Sequence, residues 1–97
     1  MNQIPYDKRV EVYREALRQN GNTIQMVVAM EELMECAKEI SKNIRGKYNI
    51  DHLAEEVADA TIMLEQVRMI RGINELVCRK MDEKIRRLSK NLEENKK

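Results

Sequence analysis

The chain has 97 residues, enough for one compact domain, and a chain this short buries only about 60–65% of the surface its unfolded form exposes. Lys and Arg number 18 against 17 Asp and Glu, so the formal net charge is +1. That balance removes any electrostatic case for nucleic acid or a membrane surface as partner.

Three Tyr, no Phe and no Trp, with seven Met beside the aliphatic residues, is a composition for helices rather than strands. The first predicted helix runs from about Tyr6 to Gln19, with Val10, Tyr13 and Leu17 on one face and Asn20-Gly21-Asn22 ending it. The second runs from about Thr23 to Ile44. Asn22 is its expected N-cap, with Gln25 completing a capping box, and Gly46 supplies a left-handed stop. The third runs from about His52 to Arg71, capped by Asp51. It is apolar almost all round, a pattern that calls for burial on several sides. Four short helices cannot surround it, so a homo-oligomer with this helix at the interface is expected. The fourth runs from about Asn74 to Leu92 with Ile73, Leu76, Val77, Met81, Ile85 and Leu88 as its apolar stripe. Residues 93–97 form a charged tail expected to fray.

Short connections imply antiparallel neighbours. The expected architecture is an all-α, up-and-down antiparallel bundle of about four helices, one domain over residues 1–92. Cys36 and Cys78 fall inside helices and read as buried, reduced thiols rather than a disulfide or zinc motif. No apolar run approaches ~18 residues. The opening Met1–Pro5 lacks the basic start and apolar stretch of a signal peptide, so a cytoplasmic location is expected.

The informative residues are carboxylates set in two otherwise apolar helices. Glu32 and Glu35 share a face of the second helix, and Glu56 and Asp59 share a face of the third. In an antiparallel hairpin, residues at one height have a constant index sum. Glu32 with Asp59, and Glu35 with Glu56, both give 91, which centres the turn beside Gly46. Four converging carboxylates repel: two like charges ~4 Å apart cost about 4 kcal/mol at an effective dielectric of ~20. A cation, or protonation, must relieve them. An all-oxygen set without His or Cys suits Mg²⁺, or Mn²⁺, rather than zinc. A di-iron bundle would want Glu-x-x-His on two helices, and the single histidine, His52, has Asn49 three residues before it. His52 reads as an ordinary helix-start residue. The bland alternative for the acids is a solvated helix face.

The pattern Glu31-Glu32-x-x-Glu35, a spacer of 20 residues, then Glu56-x-x-Asp59 resembles the signature of the all-α nucleoside triphosphate pyrophosphohydrolases, the MazG-like group. The resemblance covers about Gln25 to Leu88. The run Ala60-Thr61-Ile62-Met63 lacks the tyrosine-histidine pair typical of phosphoribosyl-ATP pyrophosphatase. The resemblance implies Mg²⁺-dependent hydrolysis of a nucleoside triphosphate between the α and β phosphates, giving a monophosphate and pyrophosphate, by a homodimer or homotetramer. It implies phosphate contacts from Lys80, Lys84 and Arg87, where lysine at position 84 replaces the family's asparagine. Counting back from Gly72 sets Lys84 level with Ala60; a small rotation would substitute Arg86 for Arg87. Glu31, ~100° around the helix from Glu32, is expected to act outside the metal shell or as general base. Gln25, two turns before Glu32 on the same face, is a candidate for a sugar or base contact as well as for the cap. The alternatives are a sibling activity on a specialised nucleotide and a non-catalytic dimeric helical module.

Overall fold

A computed structural model of the chain describes residues 3–96. It is all-helical among those residues: α1 (Tyr6–Asn20), α2 (Asn22–Ile44), α3 (Ile50–Arg71) and α4 (Asn74–Asn95). The chain divides into two compact units, the first ending at Val67 and the second beginning at Arg68.

Within the first unit, α1 and α2 are separated by a single residue. Gly21, at φ 84°, closes α1 through its N–H to Leu17 O and precedes α2 directly. Asn22 is therefore already helical, and the expected Asn22 cap with its Gln25 capping box does not form; only glycine takes that positive φ without strain. α2 ends in a Schellman turn. Gly46 N–H donates to Asn43 O and Lys47 N–H to Lys42 O, with Gly46 at φ 85°. Asn49, not the expected Asp51, caps α3: its Oδ1 accepts from His52 N–H at 3.1 Å. Either residue type caps well, and the earlier one wins because the helix starts at Ile50.

α1 is tied to α3 by Arg9 Nε and the Tyr13 hydroxyl, which donate to Glu65 Oε2 at 3.2 and 3.1 Å. The buried core is small: Tyr13, Ala29, Ala60 and Met63, joined by the polar Gln25, Glu39 and Gln66. A single chain does not wrap α3, since Val57 and Leu64 remain 45% and 44% exposed. Met30 and Met34 on α2 are more open still.

In the second unit, Gly72 repeats the Schellman geometry, with Gly72 N–H to Met69 O and Ile73 N–H to Arg68 O. α4 has no buried residue, and Leu76, Met81, Ile85 and Leu88 of its apolar stripe are exposed. Helix α4 extends past Leu92 through Asn95, into the segment expected as a charged tail, and Lys97 lies outside the described residues. Cys36 is partly buried and Cys78 exposed, which corrects the expectation of two buried thiols.

Candidate metal centre

The α2–α3 hairpin carries a polar seam in one register. Gln25 Nε2 donates to Gln66 Oε1 at 2.7 Å, and His52 Nδ1 lies 3.0 Å from Glu39 Oε2. Both pairs have index sums of 91, the value shared by Glu32 and Asp59. The steps are seven residues on each helix, close to two turns, so all three rungs fall on the facing sides. The antiparallel pairing expected from the acids alone thus holds over the length of the hairpin.

At the middle rung, Glu32, Glu56 and Asp59 each bring one carboxylate oxygen within 4.8 Å of the others. Glu32 and Glu56 are half-buried and Asp59 exposed. Glu35 is not in this group: it is exposed, one turn along α2. Loss of solvent pushes the Glu32 carboxyl above its ordinary range, and the charges of Asp59, Glu56, Glu35 and Glu31 push it further the same way. Glu31 itself is exposed.

Glu56 holds the most telling atom. Its Oε2 is buried and has no hydrogen-bond partner among the described residues. Leaving such an oxygen unpaired costs free energy. A cation between the three carboxylates would satisfy it, and a donor set made only of oxygens fits a hard cation.

The other oxygen of Glu56 is engaged. His52 Nε2 lies 3.3 Å from Glu56 Oε1, while His52 Nδ1 faces Glu39. Glu39 is buried, with Lys42 Nζ also 3.8 Å from its Oε2. His52 is thus more than a helix-start residue, and Glu39 was not singled out from the sequence. The signal was available: one further seven-residue step along each helix from Glu32 and Asp59 reaches them.

Gln25 is buried, with Oε1 accepting from Asn20 Nδ2 at 3.1 Å and Nε2 bonded to Gln66. It acts here as an interhelix tie rather than an open contact for sugar or base. In the second unit, Lys80, Lys84, Arg86 and Arg87 are all exposed, and Lys80 Nζ lies 3.6 Å from Glu83. No helix among the described residues is long and apolar enough to cross a membrane.

No family model, curated protein or solved structure matches the chain.

Proposed function

We propose that this chain is a Mg²⁺-dependent nucleoside triphosphate pyrophosphohydrolase, cleaving between the α and β phosphates to release a monophosphate and pyrophosphate. The observation that supports it most is the orphaned, buried Glu56 Oε2 within the Glu32–Glu56–Asp59 group. That group joins the two halves of the five-acid pattern on which the resemblance rests.

Glu32, Glu56 and Asp59 would hold the cation, with Glu35 one turn away available to complete or adjust the set. The chemistry such a cation would supply there is charge neutralisation of the phosphates and a lowered pKa for water. Mn²⁺ could replace Mg²⁺ on the same oxygens. Glu31 lies beside the metal ligands in sequence and is assigned to orient or deprotonate the attacking water. Lys80, Lys84 and Arg87 are assigned to the triphosphate by the resemblance alone; their cationic groups match phosphate oxygens in charge. The working form is proposed to be a cytoplasmic homodimer or homotetramer, since one chain leaves large apolar side chains of α2, α3 and α4 uncovered.

Incubating the protein with a panel of NTPs and dNTPs, in Mg²⁺ and in EDTA, and separating the products tests this reading. Metal-dependent formation of a monophosphate and pyrophosphate is expected. No turnover on any nucleotide, together with no Mg²⁺ binding by calorimetry, would replace the enzyme with a non-catalytic helical module.

A further inference from the structure

Glu56 differs from the other two carboxylates in how it is held. Its side chain is 15% exposed, and its only polar partner among the described residues is His52, four residues earlier on α3. A glutamate has three side-chain torsions, and carboxylates that bind metals need orienting by other groups. His52 takes Oε1 and leaves Oε2 as the unpartnered oxygen of a crowded carboxylate group.

His52 is in turn held from the opposite helix. Glu39 reaches across from α2, its side chain 6% exposed, and meets Nδ1 at 3.0 Å. A buried carboxylate without a partner is costly, so Glu39 and the imidazole fix one another. With Nδ1 against Glu39 and Nε2 against Glu56, the ring stands between the two carboxylates. Lys42 Nζ also lies 3.8 Å from the same Glu39 oxygen.

We infer that Glu39 and His52 are positioning residues for the cation site: a chain from α2 through the imidazole to Glu56 presents Glu56 Oε2 to the metal. This rests on the metal reading above and extends it to two residues outside the acid pattern.

Titration of the protein with Mn²⁺ alone, followed by electron paramagnetic resonance of the free ion, tests it. The variants are His52→Ala, His52→Gln, Glu39→Gln and the double variant Glu39→Gln/His52→Ala. Outer partners of metal ligands typically contribute about tenfold to a hundredfold in affinity. His52→Ala is expected to weaken Mn²⁺ binding by about that factor. His52→Gln, whose amide nitrogen can stand where Nε2 stood, recovers most of the loss. The double variant binds no more weakly than His52→Ala, because both changes break one chain.

Parent-like binding by His52→Ala, equal losses in His52→Ala and His52→Gln, or additive losses in the double variant would each overturn the inference. If His52→Ala does not fold, Glu39→Gln carries the test, since it keeps the side-chain shape: several-fold weaker binding supports the chain, and parent-like binding overturns it. Absence of Mn²⁺ binding by the parent would instead remove the metal site itself, and this inference with it.

Discussion

Asp59 is the most accessible of the three clustered carboxylates, so changing it disturbs charge more than packing. Asp59→Asn should remove Mg²⁺-dependent turnover, with a loss beyond the tenfold to about a hundredfold typical of outer partners. It should also leave the metal-free protein no less stable, and raise its melting temperature, because it relieves the repulsion that lifts the Glu32 carboxyl. A clear fall in melting temperature in EDTA would contradict that account. Tyr13 offers a separate residue-scale test. Burial raises its phenol above the ordinary 10.0, and the hydrogen bond to Glu65 and the charge of that carboxylate raise it further against Arg9. The neutral phenol is thus favoured in the folded state. Its contribution is complete below pH 10 and is lost as pH rises through the elevated value. Tyr13→Phe should cost about 1 kcal/mol near neutrality and narrow its gap to the parent at high pH. Urea melts at both pH values check this, and a gap that widens with alkali would contradict the sign.

The α2–α3 hairpin is the element on which everything else hangs, and its top rung is the amide pair Gln25–Gln66. Both side chains are buried, so breaking one leaves the other short of a partner. Gln25→Leu should cost about 1–3 kcal/mol. The double change to Leu at 25 and 66 should recover part of that, because no orphaned amide remains between the two positions. Denaturant unfolding of the four proteins measures the coupling, and strictly additive losses would mean that the pair is not a unit. Much of this element was legible in advance. Gly21, Gly46 and Gly72 mark the breaks, and each sits at positive φ, the conformation that favours glycine. The hairpin register followed from two pairs of acids. The helix starts were less legible, because Asn22, Asn49 and Asp51 are all good caps by type and only the backbone path decides among them. His52 was misread because its partner Glu39 lies across the turn, and a local reading stops at Asn49. Glu35 was expected in the acid group because spacing alone cannot say which member of a same-face pair converges.

At the scale of the whole molecule, the sequence forecast a chain too small to cover its own apolar surface, and the single chain leaves Met34 63% and Ile85 59% exposed. Uncovered side chains of this kind on more than one helix call for a partner surface. Sedimentation across a concentration series should therefore show self-association, to a dimer or tetramer. A monodisperse monomer throughout would contradict this. What assembles against what was not legible, because the apolar stripes are amphipathic patterns without a partner written into them.

We propose that Glu32, Glu56 and Asp59 together hold a divalent cation. The most direct test is anomalous X-ray scattering from crystals grown with Mn²⁺. A manganese peak bound by oxygens of all three residues, Glu56 Oε2 among them, is expected. A manganese peak only elsewhere, or none at saturating Mn²⁺, would contradict it.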